Sequence, residues 1–236
     1  MGALVPESAQ ALRLHTEIAL KQALESVQED DRKQVDFLVI GADTKLETPI
    51  PEIRSEHKRA VETAELILDA IQATMKEYQL DLSQLLNKTG RPIELSSGRL
   101  RDLRMFEDCP KFVSFLKEKY GTGIEFWEAY EDDLEKETRE KMGAEGPDEI
   151  ARRTHDYLRV VTNAMKSYHS LHPGRRVMVW VEGHYDNLSP YLKQATGMKR
   201  TDYLPIDHGA GVAIHVARDQ KVTAQIQGLS YDLSLA

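Results

Sequence analysis

The most constraining feature of this chain is an apolar run at residues 177–181 (VMVWV), which ends in a glycine and a histidine. A short apolar run bounded by turn residues predicts a buried strand. Glu182 and Gly183 end the run, His184 follows, and the next residues predict a helix over 187–194. In open α/β folds, ligands bind at the carboxyl ends of the strands. The sequence therefore predicts that His184 lies at a ligand-binding edge of a sheet.

Strands and helices are predicted to alternate along the rest of the chain. A second buried strand is predicted over 35–40, ending at Gly41. The other predicted elements are helices over 7–29, 56–78, 110–120, 124–137 and 148–171 and strands over 211–216 and 222–226. This order predicts a single α/β domain over 1–236, with a mostly parallel sheet and helices on both faces. The helix-rich segment 104–146 interrupts the alternation and is predicted to be a cap insertion.

Two of the predicted helices have a recognisable buried stripe. In the first helix the stripe is predicted to hold Ala11, Leu14, Ile18, Leu20, Leu24 and Val27. In the second helix it is predicted to hold Ala60, Ala64, Ile67, Ile71 and Met75. Residues 44–54 contain two prolines and predict a loop, and residues 81–108 are expected to be irregular.

Composition excludes several classes of function. The net charge is −8, which argues against broad electrostatic binding to nucleic acid. The single cysteine, Cys109, permits no intrachain disulfide and favours a cytoplasmic protein. No apolar run approaches the roughly 18–20 residues that span a bilayer, so we expect no membrane partner. The histidines show no metal-ligand spacing, and no dinucleotide-binding or P-loop glycine motif occurs, so neither a metal nor a cofactor is expected.

Four segments together resemble the histidine phosphatase superfamily, also called phosphoglycerate mutase-like. Residues 4–11 (LVPESAQA) are similar to the family's LTPxGxxQA segment, and residues 55–64 (SEHKRAVETA) to its SxLxRAxxTA helix start. Residues 100–102 (LRD) are similar to its LxE segment, and residues 179–187 (VWVEGHYDN) to its VVSHGDN segment. The resemblance spans almost the whole chain and implies phosphoryl chemistry that passes through a phosphohistidine.

The resemblance implies two cationic or hydrogen-bonding groups in a phosphate pocket. Arg59 would bind two phosphate oxygens through its planar guanidinium, close to the positive end of a helix dipole. The alternative for Arg59 is a solvated side chain that pairs with Glu62 or Glu56. His184 would donate to a phosphate oxygen, and the alternative is a strand-end histidine bonded to backbone.

The resemblance also implies a general acid, and here several carboxyls compete. Asp102 would protonate the leaving oxygen, with Glu107 or Asp108 as alternatives and an exposed loop carboxylate as the non-catalytic interpretation. Asn187 is expected near the pocket, although helix capping explains it equally well. His208, which precedes a glycine-rich turn, is a further pocket candidate.

The chain departs from the family in one decisive respect, because it contains no Arg-His-Gly segment. The family's nucleophilic histidine and first central strand are therefore expected to be missing. Two interpretations stay open: a truncated phosphatase, or a noncatalytic phosphate-binding or scaffold protein. Tyr185, Glu182 and Gly183 also differ from the residues that the family usually has around this histidine.

The sequence thus predicts recognition of a small phosphorylated substrate. Phosphomonoesterase activity is expected only if an upstream segment supplies the nucleophile. A homo-oligomer remains open, and an unrelated α/β domain with motifs matched by chance is the competing interpretation.

Overall fold

The computed structural model describes residues 6–42, 59–95, 104–183, 185–202, 204, 212–216, 221–226 and 229–233, with all side chains except those at 42, 59, 94, 95 and 226. The helices are α1 (Pro6–Glu25), α2 (Arg59–Glu77), α3 (Met105–Asp108), α4 (Pro110–Tyr120), α5 (Ile124–Glu131), α6 (Lys136–Met142), α7 (Pro147–Leu171) and α8 (Tyr185–Thr196). The strands are β1 (Val35–Ala42), β2 (Ile93–Leu95), β3 (Arg176–Glu182), β4 (Ala213–Val216), β5 (Val222–Ile226) and β6 (Leu229–Asp232). Short 3-10 helices cover Glu29–Gln34 and Leu82–Gln84. The protein is a mixed α/β structure.

Three parallel strands form the first sheet, in the order β2-β1-β3. The two apolar runs recognised in the sequence pair in full, from Val35 opposite Arg176 to Gly41 opposite Glu182. Strand β2 extends the sheet on the other side of β1, with Ile40 opposite Ile93. The strands predicted over 35–40 and 177–181 are confirmed as strands, but the expected burial of the second is wrong, because β3 is an outer strand of the described sheet and only its Val177 is buried. Strand β2 lies in a segment expected to be irregular.

Strand β1 meets helices on both of its faces. Val35, Phe37 and Val39 are buried in one core with residues of α1 and α2. Asp36 points to the opposite face by strand alternation, where its carboxylate accepts hydrogen bonds from Tyr168 of α7 and from Arg175. The Arg175 Nε–Asp36 Oδ2 distance is 2.5 Å, so the carboxylate is paired although it is buried.

The buried stripe predicted for α2 is confirmed, and that of α1 is wrong in its first half. All five predicted α2 positions are buried. On α1 the buried residues are Leu12, Thr16, Leu20 and Leu24, whereas Leu14 and Ile18 are 54% and 43% exposed. A regular four-residue spacing runs through Thr16, whose hydroxyl donates to the Leu12 carbonyl at 2.9 Å. That hydrogen bond lets a polar side chain occupy the buried face.

The segment predicted as a cap forms four helices with a core of their own. Phe106, Phe112, Leu116 and Phe126 are buried there, together with Ile150 from α7. The single helix predicted over 124–137 is wrong, because the chain turns at Asp133, whose φ is 55°. Arg139 of α6 holds the Asp133 carboxylate, with 2.7 Å between Nε and Oδ1, and this buried pair stabilises the break.

A second sheet of three antiparallel strands, in the order β4-β5-β6, is separate from the first within the described residues. The strands predicted over 211–216 and 222–226 correspond to β4 and β5, and β6 was not predicted. The expectation of one mostly parallel sheet is corrected here. Only five residues join β4 to β5, which is enough for an antiparallel turn, whereas a parallel crossover needs about a dozen or more.

Candidate active site

Most of the predicted site residues fall outside the described part of the chain. Asp102, His184 and His208 lie outside the described residues, and Arg59 is described only as the first residue of α2. Asn187 is described in full. The structure therefore places the elements around the predicted site, and the contacts among Arg59, His184 and Asp102 remain predictions.

The carboxyl edge of the parallel sheet is the place where these elements meet. Strands β1 and β3 end side by side, with Gly41 opposite Glu182. Helix α8 begins at Tyr185, three residues after the end of β3. The residues next to position 184 thus lie at the end of the strand and at the start of a helix.

Helix α2 begins at the same edge because Gly41 lets it approach closely. A Cβ atom at Gly41 would lie 3.0 Å from Ala64 Cβ and 3.2 Å from the Ala60 carbonyl oxygen. Such distances are tighter than ordinary side-chain contacts, so only glycine fits without a shift of α2. The first turn of α2 within the described residues is therefore packed directly on the end of β1.

Glu182 brings a carboxyl to this edge. The residue is partly exposed, but its carboxyl lies among protein atoms, and burial raises the pKa of Glu182 to about 8. No hydrogen bond or ion pair to Glu182 is found among the described residues. A carboxyl with such a pKa is largely protonated at pH 7, so it acts there as a neutral hydrogen-bond donor.

Tyr157 of α7 contributes a second polar group. The side chain is 3% exposed and packs with Ala60 of α2 and with Val181 of β3. Its hydroxyl is buried and has no hydrogen-bond partner in the described part of the structure. Burial raises the pKa of the Tyr157 hydroxyl, which therefore stays protonated and able to donate.

Asn187 belongs to a buried polar network that joins α7 to α8. Its Oδ1 accepts a hydrogen bond from Arg153 Nη2 at 3.1 Å, and its carbonyl accepts one from the Thr154 hydroxyl at 3.0 Å. Arg153 Nε also pairs with Glu145 Oε1 at 2.9 Å. Asn187 thus holds α8 against α7. The competing general-acid candidates lie on α3, where Glu107 is half-buried and Asp108 is exposed.

Sequence reasoning missed two residues at this edge, Glu182 and Tyr157. The position of Glu182, directly after an apolar strand, is visible in the sequence and could indicate a carboxyl at a binding site. The comparison of motifs treats Glu182 only as a departure from the family. Tyr157 occupies an ordinary core position on a helix, and nothing in the sequence reveals that its hydroxyl lacks a partner.

Comparisons with protein-family models, with curated proteins and with solved structures find no match for this chain. The resemblance to histidine phosphatases therefore stays a prediction made from four sequence segments.

Two further searches of the described residues bear on the predicted partners. None of the helices described is both long and apolar enough to cross a membrane. In the same part of the chain, no group of three or more histidine, cysteine, aspartate or glutamate side chains is arranged to hold a metal ion.

Proposed function

We propose that this protein recognises a phosphate ester at the carboxyl edge of its parallel sheet. The observation that carries the proposal is the meeting of the ends of β1 and β3 with the starts of α2 and α8. Each helix N-terminus carries free backbone N–H groups and a partial positive charge, and both favour an anion.

Arg59 and His184 are proposed as the phosphate-binding side chains. Arg59 is the first described residue of α2. His184 lies in the chain between Gly183, which follows the last residue of β3, and Tyr185, the first described residue of α8. A guanidinium and an imidazole are suited to phosphate oxygens by their donor geometry and charge. Asp102 and His208 complete the proposed pocket, and Asn187 supports it by holding α8 in place.

The carboxyl of Glu182 does not oppose this proposal at neutral pH. An ionised carboxylate beside a phosphate would repel it strongly in a partly desolvated site. The raised pKa of Glu182 keeps the group mostly uncharged at pH 7, and a neutral carboxyl can donate to an anion.

Hydrolysis is proposed to need a further element. The histidine phosphatase mechanism uses a nucleophilic histidine in an Arg-His-Gly segment, and this sequence contains none. We propose that phosphomonoesterase activity arises only where an additional N-terminal segment supplies that histidine on a strand beside β3. The partly exposed side chains of Val179, Trp180 and Val181, on the outer strand of the described sheet, support an additional strand there.

Binding of inorganic phosphate and vanadate, measured by isothermal titration calorimetry, tests the proposed pocket. We expect Arg59→Ala and His184→Ala each to weaken binding roughly tenfold or more, since each removes a hydrogen bond to a charged group. The matched controls are Arg152→Ala and His15→Ala, which change exposed residues on α7 and α1 and should leave binding unchanged. Unchanged binding in both pocket variants would overturn the proposal.

A noncatalytic binding or scaffold role is the second candidate, and the absence of Arg-His-Gly from the sequence favours it. The two candidates differ in turnover of p-nitrophenyl phosphate. Binding without turnover supports the noncatalytic role, whereas turnover with a phosphohistidine intermediate supports a phosphatase.

A further inference from the structure

Strand β3 has an unpaired edge within the described residues. It is an outer strand of the parallel sheet, whose order is β2-β1-β3. An outer strand directs alternate backbone N–H and C=O groups away from its own sheet, and these groups can pair with a further strand. The strand is seven residues long, Arg176–Glu182, which is an ordinary length for strand pairing.

The side chains of β3 are apolar on both faces and only partly covered. Met178 and Trp180 pack against the core that α1 and α2 share, and Val181 packs with Tyr157 of α7. Each residue from Met178 to Glu182 nevertheless keeps part of its surface in solvent. Outer strands of natural proteins are usually protected by charges, a bulge or a covering element. Four consecutive apolar residues give β3 no such protection of its own, so a covering element is expected.

The two ends of β3 carry opposite charges that have no partner among the described residues. Arg176 begins the strand and is exposed, and Glu182 ends it. Neither side chain forms a hydrogen bond or an ion pair with another described residue. Burial raises the pKa of Glu182 to about 8, and a cation beside the carboxyl would offset that effect. The strand therefore offers an unpaired cation at one end and an unpaired acid at the other.

The sequence of β3, RVMVWVE, complements itself when two copies run antiparallel. With Val179 of both copies at the centre, Arg176 of each copy stands opposite Glu182 of the other. The apolar residues between them then meet only apolar residues. A shift by two residues in either direction would place Glu182 opposite Met178 or Arg176 opposite Trp180, so the charges select the centred register.

We propose that two copies of this chain form a symmetric dimer through β3, with the two β3 strands antiparallel in one continuous sheet of order β2-β1-β3-β3-β1-β2. The contact is isologous, since the same strand is used by both copies. This inference goes beyond the proposed function, because no phosphate takes part in it. A strand from an N-terminal segment would occupy the same edge, so the dimer fits the noncatalytic candidate.

The interface is small, because it consists of one strand pair and its flanking side chains. We expect a reversible dimer with a Kd on the order of micromolar. Below that concentration the monomer prevails, and the neutral Glu182 carboxyl and the unfolding free energies of the variants refer to the monomer. In the dimer the pair of Arg176 and Glu182 carries no net charge, so it does not oppose a phosphate nearby.

Sedimentation equilibrium from about 1 μM to about 1 mM protein measures the dimer of the 26.8 kDa chain. Arg176→Glu places like charges opposite each other at both ends of the strand pair. We expect it to weaken dimerisation roughly tenfold to a hundredfold, because the symmetry repeats the change. Arg176 is exposed, so the variant should fold, as circular dichroism will verify. The matched control is Arg152→Glu, an exposed position on α7, which should dimerise like the wild type.

A complementary variant tests whether the two charges face each other. Glu182→Lys alone places two cations opposite each other and should dimerise as weakly as Arg176→Glu. In an equimolar mixture of the two variants, each introduced charge faces an opposite one in the mixed dimer, and an affinity close to that of the wild type should return. A mixture of folded variants that dimerises no better than either one alone would overturn the proposed pairing.

A cysteine at the centre of the strand tests the register without changing a charge. Val179→Cys brings two thiols face to face across the two-fold axis, at a Cα separation that a disulfide spans. We expect a covalent dimer under mild oxidation. Val181→Cys is the matched control on the same face, and its two thiols would lie more than about 12 Å apart. The native Cys109 is buried and common to both variants.

Three results would overturn the inference. The first is a wild type that stays monomeric at every concentration, and protection of the outer β3 amides from hydrogen exchange would then show that another segment covers the edge. The second is a dimer that Arg176→Glu leaves unchanged, because the contact would then lie elsewhere. The third is a disulfide in Val181→Cys rather than in Val179→Cys. The phosphate proposal stands or falls separately, on binding by Arg59→Ala and His184→Ala.

Discussion

Single residues at the carboxyl edge carry most of what is unusual about this protein. Glu182 ends a strand whose preceding residues are apolar, and burial raises the pKa of its carboxyl to about 8 from an ordinary value of 4.5. The folded protein therefore keeps a proton that the unfolded chain releases between these two pH values. The resulting contribution to the free energy of unfolding is complete below about pH 4.5 and is lost as the pH rises through 8.

Glu182→Gln removes this pH dependence, because glutamine fills nearly the same volume and does not ionise. We expect the wild type to lose stability relative to this variant between pH 5 and pH 9, by an amount on the order of a few kcal/mol. Urea unfolding of both proteins at pH 5, 7 and 9 measures the difference. Glu65→Gln, which changes an exposed glutamate of α2, serves as the control. Parallel stability curves for the wild type and Glu182→Gln would contradict the expectation.

Asp36 presents the opposite case at the amino edge of the sheet. Burial alone raises the pKa of Asp36, but hydrogen bonds from Arg175 and Tyr168 outweigh it, and the net effect is a lowered pKa. Its contribution to stability is therefore present above the pKa of the unfolded chain and is lost as the pH falls through that of the folded protein.

Arg175→Gln should destabilise the protein because it leaves the buried Asp36 carboxylate without its main partner. We expect a loss of about 2–3 kcal/mol at pH 7, less than for a fully buried pair, since the Arg175 side chain is 30% exposed. Chemical denaturation measures the loss, and Arg176→Gln, an exposed neighbour, should stay within about 0.5 kcal/mol of the wild type. Equal stability of the two variants would show that the ion pair contributes little.

At the level of elements, the packing of α2 on β1 decides whether the proposed site exists. Gly41→Ala places a methyl group 3.0 Å from Ala64 Cβ, so the first turn of α2 has to shift. We expect a loss of about 1–3 kcal/mol in stability together with weaker phosphate binding. Gly183→Ala is the control at the same edge, because its added Cβ meets nothing within 4 Å among the described atoms. Normal phosphate affinity in a folded Gly41→Ala protein would show that the start of α2 is not part of the binding site.

The elements that sequence patterns predicted well are those with strong local signals. Helix α4 begins at Pro110 and ends before Gly121, since proline and glycine mark such boundaries clearly. Strand β5 also covers 222–226 as predicted. The elements that were missed depend on specific contacts that apolar periodicity does not reveal. Strand β2 holds three residues and exists because Ile93 pairs with the distant Ile40, and the break before α6 depends on the local contact between Arg139 and Asp133.

The face of α1 shows the same limit. The sequence offers two apolar stripes, one through Leu14 and Ile18 and one through Leu12, Leu20 and Leu24. Only the packing of α1 against α2 and β1 selects the second stripe. That stripe includes the buried Thr16, which a search for apolar periodicity leaves out because threonine is polar. Helix periodicity predicts that a buried face exists, but the neighbouring elements decide which face it is.

At the level of the whole molecule, the strands divide between a parallel and an antiparallel sheet, and several separate cores hold the helices to them. Buried and partly buried ion pairs link the helical segment to the rest: Lys193 of α8 lies 2.7 Å from Glu131 of α5, and Arg153 of α7 pairs with Glu145. A hydrophobic pattern does not predict such pairs, because a charged residue at a helix surface is normally exposed to solvent.

The sequence by itself determined the alternation of strands and helices, the two strands over 35–40 and 177–181, and the buried stripe of α2, because periodicity and turn residues act locally. It also singled out Arg59 and His184 as candidates. Only the tertiary structure decided that β1 and β3 are neighbours, that Gly41 admits the start of α2, and that the buried Tyr157 hydroxyl and the desolvated Glu182 carboxyl lie at that same edge. Burial and the lack of a partner are properties of packing between residues far apart in the chain, and a sequence pattern does not contain them.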